Sequence, residues 1–273
     1  RSRTSKLLVF LGVGPIFPTA SSPPQPACET AAVDEELPVG EPVGGGPARA
    51  PERRSLEGRH VSVRALDPAR DVGRLWSASP DGSDEASRLW TYMYEPFADA
   101  GEMLAWLEEC ARSEDPLFLT VVAHQAGPVG MAAFLNVEPA HRRLEIGHIW
   151  YAPSAQRTEA NTETAYLMIR EAFDELGYRR VEWKCDALNE RSRAAALRLG
   201  FTFEGVFRKH MIVRGRSRDS AWFSLLDDEW QAAKQALESA GVSLKQIDAI
   251  KTHNPFVVND IVFQRETGYD VMK

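Results

Sequence analysis

The stretch from Ile146 to Gly177 restricts the fold of this chain more than any other. An apolar run, Ile146 to Tyr151, reads as a strand and ends in a turn at Pro153. A periodic helix follows, with Ala165, Met168, Ile169, Ala172, Phe173 and Leu176 at helical spacing and Gly177 at its stop. Strand, loop and helix in that order call for a sheet on which the helix lies. The loop between them, Gln156-Arg-Thr-Glu-Ala-Asn-Thr-Glu163, presents free backbone N–H groups and the positive end of a helix dipole, which suit an anion and above all a pyrophosphate. Arg157 adds a fixed charge, and Thr158, Asn161 and Thr162 add short hydrogen-bonding side chains. An ordinary polar connection capped by Thr or Asn meets the same description on these residues alone.

Around this centre the chain alternates strands and helices. His60 to Leu66 has the period of a half-buried strand, and Asp67-Pro68 opens a helix through Trp76. Ala100 to Ala111 places Met103, Leu104, Leu107 and Cys110 on one side of a second helix. Leu89 to Tyr94, dense in aromatics, reads as core in preference to a substrate mouth. Leu117–Ala123, Val129–Val137 and Leu144–Tyr151 form an antiparallel meander. After the central helix come a strand, Arg180–Asp186, a helix, Asn189–Leu199, and two strands, Phe201–Val213 and Arg218–Leu226. The sum is an α+β fold, a mixed, mostly antiparallel sheet flanked by helices.

Composition closes several alternatives. A formal charge of −7 argues against a general nucleic-acid binder, so no nucleic-acid partner is expected. Cys28, Cys110 and Cys185 lack paired-thiol or zinc spacing, which fits reduced thiols in a cytoplasm, and the six histidines show no metal-ligand pattern. No apolar run approaches the roughly 20 residues that span a membrane.

Three further motifs fall in one order and spacing: Val181 to Asn189 leading into Asn189-x-x-Ser192, Leu199-Gly200-Phe201 opening a strand, and Asp219 to Ser224. With the strand–loop–helix at 156–163, these make residues of about 56–230 similar to the GCN5-related N-acetyltransferases (GNAT), nearest the branch holding the ribosomal-protein N-terminal acetyltransferases. The resemblance implies the acyl-CoA N-acyltransferase fold, acetyl-CoA as acetyl donor, and a small-molecule amine or a protein N-terminus as acceptor. It implies that Gln156, Arg157, Thr158, Glu159, Ala160, Asn161 and Thr162 hold the pyrophosphate, that Ile149 and Tyr151 pair with the pantetheine arm, and that Asn189 and Ser192 contact the arm and thiol end. Monomer and homodimer are both compatible with it. Two departures stand out. Glu159 and Asn161 occupy positions where the family loop has small residues, and Ala196 stands where many members carry a tyrosine that protonates the departing thiolate. They keep open an alternative, an acyl-CoA-binding module with weak or no turnover.

Direct attack on a thioester in a ternary complex requires an amine that has lost its proton. Glu145 is the preferred general base, with His148 and a water relay as alternatives. Strand alternation places Glu145, Gly147 and Ile149 on one face and His148 on the other. A structural pair with Arg142 or Arg143 is the competing role for Glu145. Ser192 is the hydroxyl expected to act at the leaving thiol, and Cys185 reads as a buried structural thiol. Arg208-Lys209-His210 with Arg214, Arg216 and Arg218 reads as a solvated basic hairpin rather than a contact for an acidic acceptor.

The ends differ in character. Residues 1–54 hold nine of the 17 prolines and read as a disordered tail. Arg1, Arg3 and Lys6 before Leu7 to Leu11 outline a signal peptide, but Gly14, Pro15 and Pro18 interrupt it; a fusion remnant, or translated sequence upstream of the start, is preferred over secretion. Residues 55–233 form the expected catalytic domain. Residues 234–273 resemble an incomplete thiolase fragment, with His253-Asn-Pro-Phe256 in place of one of that family's motifs, and are assigned no activity.

Overall fold

The computed structural model describes residues 37–79, 88–93 and 96–239. Cys28, the basic-apolar start of the chain and the thiolase-like residues from 240 onward lie outside them. The chain divides into two units, 1–44 and 45–273; of the first, residues 37–44 are described and are exposed without regular structure.

In the second unit, β1 (Leu56–Glu57) and β2 (Val61–Ala65) precede α1 (Pro68–Ala78) and α2 (Ala100–Arg112). The meander is β3 (Leu117–Ala123), β4 (Gly127–Glu138) and β5 (Arg143–Tyr151). Then come α3 (Glu159–Arg170), β6 (Arg180–Asp186), α4 (Glu190–Arg198), β7 (Thr202–Val213), β8 (Arg216–Leu226) and α5 (Asp227–Ser239). The strands form one sheet in the order β1-β2-β3-β4-β5-β6-β8-β7, antiparallel throughout the described residues except at β5–β6.

Strand alternation sorts the side chains into two cores. On one face Val61, Leu119, Phe134, Ile146, Val181 and Phe223 pack against Met168 and Ile169 of α3 and Trp230 and Leu237 of α5. On the other, Phe118, Met131, Ala133 and Trp150 meet Leu75 of α1 and Met103 and Leu107 of α2. Burying a side chain such as Leu107 contributes about 1.5–3 kcal/mol, so the apolar stripes fix which face each helix covers. Polar anchors fix how it lies. Glu163 of α3 accepts hydrogen bonds from the backbone N–H groups of Arg59 (2.7 Å), His60 (2.6 Å) and Val61 (3.0 Å), holding the β1–β2 turn to the central helix.

The helical period expected through Leu176 changes after Arg170, where Glu171–Glu175 form a π-turn. Leu176 N–H bonds to Glu171 O at 3.0 Å, and Gly177 then takes a left-handed conformation (φ 80°) as the expected stop. The packed body passes both expected limits of 55–233. Ala48 is buried with its N–H on Pro139 O (2.9 Å), and at the other end Leu237 is buried in the α3-side core. The helix after Trp230 runs through these residues because its apolar face still has a core to cover.

The parallel β5–β6 ladder is short. It pairs Arg143–Glu145 with Arg180–Glu182, and beyond Glu145 the two strands part. A β-bulge in β5, with His148 at φ 49°, turns the strand at the point of separation.

Candidate active site

The parting of β5 and β6 opens a cavity of about 2160 Å³. Strand separation leaves backbone groups of both strands without sheet partners along its walls. Of the residues the sequence singled out, Glu145, Ile149, Tyr151, Gln156, Arg157, Asn161, Asn189 and Ser192 line it together. The side chains of Thr158, Glu159, Ala160 and Thr162 do not.

At the mouth, α3 begins after Thr158, whose hydroxyl bonds back to Ala155 O (2.7 Å) and leaves the first N–H groups of the helix without a side-chain cap. Ala160 and Thr162 turn into the interior, and Glu159 is exposed. Gln156 Nε2 donates to Tyr151 O at 3.0 Å, which fixes the turn between strand and helix. Arg157 is in the left-handed region at φ 58°. Opposite it stands a residue the sequence reading missed, Arg198 of α4. Its Nε is buried without a hydrogen-bond partner, and burial, then the like charge of Arg157, lowers its pKa. Neither guanidinium has an ion pair among the described residues, so two cations face one another across an opening suited to an anion. The visible signal was a basic residue at the last position of a helix whose polar face was unassigned.

Inside, Asn189 caps α4, its Oδ1 accepting from Ser192 N–H (3.1 Å), while Ser192 Oγ accepts from Trp183 Nε1 (2.9 Å). The Ser192 hydroxyl also bonds to the Cys185 thiol, partly opposing the rise in that thiol's pKa. Ala196 is wholly buried in the α3-side core. Cys185 is a free, buried thiol whose pKa burial raises, which removes it as a thiolate nucleophile.

The alternation expected along β5 fails at the His148 bulge. Glu145 and Gly147 share a face, but Ile149 packs toward the α3-side core, Trp150 joins the other core, and the His148 ring lies tilted against Phe118 at 5.0 Å. Ile149 and Glu145 are thus on different faces. Burial, then the charge of Arg218, lowers the pKa of His148 and favours its neutral ring.

Glu145 is buried, and its carboxylate meets Lys184 Nζ at 2.7 Å and accepts from Asn136 Nδ2 at 2.7 Å. The partner is Lys184 and not the expected Arg142 or Arg143; Arg143 instead reaches Glu138 and Glu182. Chain direction explains this. Glu145 faces β6 across the parallel ladder, where Glu182, Lys184 and Asp186 form the polar alternate of Val181, Trp183 and Cys185. Lys184 Nζ also lies 3.4 Å from Glu182 and 4.0 Å above the Trp222 ring. Burial raises the Glu145 pKa, with Lys184 and Asn136 opposing it. The net direction is upward, toward the range of a working base.

Leu89, Thr91, Tyr92 and Met93 line the far end of the cavity, while Trp90 is core, so the aromatic segment serves both purposes. Tyr92 Oη donates to Leu188 O (3.1 Å), and Arg214 of the β7–β8 hairpin donates to the carbonyls of Trp90 and Thr91. The hairpin is not wholly a solvated turn: His210, Met211 and Arg218 also line the cavity.

A mixed sheet splayed at a bulged strand, with a bare helix N-terminus at the mouth and a buried carboxylate at the apex, defines an acyl-CoA N-acyltransferase fold. The chain belongs to the GNAT acetyltransferase family: the family model described as "Acetyltransferase (GNAT) domain" matches residues 61–202. It is 35% identical over 178 residues to the Bacillus subtilis (strain 168) protein described as "Putative ribosomal N-acetyltransferase YdaF", covering 64% of this chain and 96% of that one. A GCN5-related N-acetyltransferase from Brucella melitensis superposes with a TM-score of 0.69 at 42% identity over 71% of this chain and 88% of the other. A GNAT-family structure from Chromobacterium violaceum ATCC 12472 gives 0.65 at 35% identity, over 71% and 98%. The protein is an acyltransferase. No helix among the described residues is long and apolar enough to cross a membrane, and no group of three or more metal-ligating side chains occurs among them.

Proposed function

We propose that the protein transfers the acetyl group of acetyl-CoA to a primary amine held with it in a ternary complex, with Glu145 as the general base. The observation that carries this reading is the buried Glu145 carboxylate at the apex of the cleft, raised in pKa and fixed by Lys184 and Asn136.

The residues present fit the donor. Arg157, Arg198 with its orphaned Nε, and the uncapped start of α3 suit a pyrophosphate. The parted strands offer backbone groups to an extended amide-bearing arm. Acetyl-CoA supplies the acyl group and a thiol leaving group. Glu145 takes the proton of the attacking amine; the new C–N bond forms as C–S breaks, and Ser192 O–H stands on the α4 side to donate toward the departing sulfur. Positioning and one base together account for much of the acceleration expected of such a site.

Thiol release measured against a panel of amines and peptides, beside acetyl-CoA binding, tests the proposal. Turnover with at least one amine supports it. Tight binding with no thiol release from any amine would replace it with an acyl-CoA-binding module.

A further inference from the structure

The two faces of the sheet divide the cavity. The α3 N-terminus, Arg157 and Arg198 lie with the layer of α3 and α4, while Glu145, Lys184 and Trp222 point to the opposite face, where an acceptor would meet the base. Arg218 belongs to that second group. Ala221, Phe223 and Leu225 of β8 enter the α3-side core, so the alternate positions Arg218, Ser220 and Trp222 face the acceptor side. Arg218 lines the cavity, and its Nε is buried without a hydrogen-bond partner. It makes no ion pair among the described residues. The carboxylates nearest in sequence and register are engaged elsewhere: Asp219 accepts from Lys209 N–H (2.7 Å) and Asp186 from Leu188 N–H (2.9 Å). Buried polar atoms in folded proteins are almost always paired, and a planar guanidinium left open in a cleft matches a carboxylate.

We infer that Arg218 binds a carboxylate on the acceptor, and that the acceptor is a peptide N-terminus with an acidic residue at its second or third position. The inference rests on the acetyltransferase reading above and adds its substrate class. Register supplies the spacing. Lys184, which touches Glu145, pairs with Trp222, and Arg218 lies four residues along β8, roughly 13 Å at the backbone. The amine and carboxylate of a free α-amino acid are too close together to reach both. An extended peptide advances about 3.3–3.6 Å per residue, so an acidic side chain two or three residues in spans the gap left after the arginine side chain reaches back. The unpaired charge also acts on its surroundings, since it is one of the two causes that lower the His148 pKa.

The test compares peptides carrying Asp or Glu at positions 2 and 3 with their Asn and Gln counterparts, beside free aspartate and glutamate, as acceptors for the full chain. The acidic peptides are expected to exceed their amide counterparts by about tenfold or more in kcat/KM, with free amino acids poor. Arg218→Gln should bring that ratio close to one with acetyl-CoA affinity unchanged, Arg218→Lys should keep most of it, and Arg218→Glu should favour Lys-bearing peptides. Acetyl-CoA binding by each variant reports that it is folded. Equal rates for acidic and amide peptides, a ratio that survives Arg218→Gln, or free amino acids as the best acceptors would each overturn the inference. Any of these still requires thiol release, and so leaves the acetyltransferase reading standing; only the loss of all turnover would strike that reading instead.

Discussion

Lys184 Nζ lies 2.7 Å from Glu145 Oε2, and Lys184 stands on β6 two residues beyond Glu182, the partner of Glu145 in the last parallel rung. The pair sits where the sheet divides, so one contact holds the base and braces the apex of the cleft. Its two halves pull in opposite directions: burial raises the carboxyl pKa, and the ammonium lowers it.

Lys184→Met therefore removes the largest influence holding the Glu145 pKa down, and that pKa should rise further. The acid limb of the kcat/KM profile is expected to move to higher pH than in the parent. Stability should fall as well, by up to roughly 3–5 kcal/mol near pH 8, because a buried carboxylate has lost its partner. A carboxyl raised in the folded state favours folding below its unfolded pKa, and this contribution is lost as pH rises through the folded one. The deficit should accordingly be smaller near pH 5. Denaturant unfolding at the two pH values measures it.

Glu145→Gln keeps the shape and loses the basicity. Turnover at neutral pH is expected to drop on the order of 100-fold with acetyl-CoA affinity unchanged. The loss should shrink at high pH, where the amine sheds its proton unaided. In the parent the acid limb should lie above the ordinary carboxylate range, and in the variant that limb should be absent. Parent-like turnover at pH 7 would remove Glu145 as base.

Arg198→Gln should weaken acetyl-CoA binding by about tenfold, and raising the salt concentration should weaken the parent in the same direction. Glu159→Gly should give no gain. Glu159 is exposed in the first turn of α3, where a negative charge favours the helix dipole, so it stands out of the way of an anion at the mouth. Calorimetry on both variants separates these outcomes. An affinity rise for Glu159→Gly would show that its charge does reach the ligand.

Much of this architecture was legible in the chain because it rests on local periodicity. The meander, the central helix with its Gly177 stop and the strand Arg180–Asp186 all follow from apolar spacing and turn residues. What escaped depends on strand-to-strand placement. The bulge at His148 reverses the facing of Ile149, and the isolated Gly147 just before it was the signal that strict alternation passed over. Glu145 looked nearest to Arg142 and Arg143 along the chain, but its partner lies across a parallel crossover, a contact that sequence distance hides. Arg198 drew no reading, and Arg218 read as part of a solvated basic hairpin, until α4 and β8 turned them toward one cavity.

The ends of the folded body give the last prediction. A chain of residues 55–233 loses Ala48 and Arg54 at one end and Lys234, Leu237 and Glu238 at the other. Leu237 is fully buried, Glu238 accepts from Tyr166 Oη (2.6 Å), and Lys234 pairs with Asp174 at 2.6 Å. Removing Arg54 leaves Glu171, a buried carboxylate in the π-turn, without its ion-pair partner. A lost buried leucine alone costs about 2–5 kcal/mol. At roughly 2–4 °C per kcal/mol for a domain of this size, the 55–233 chain should melt at least about 4 °C below one of residues 45–239. The longer chain should match the full protein in melting temperature and acetyl-CoA affinity, since every described core contact of the second unit lies inside it. Equal melting of the two shortened chains would mean that the last turns of α5 and the segment around Ala48 add nothing to the core.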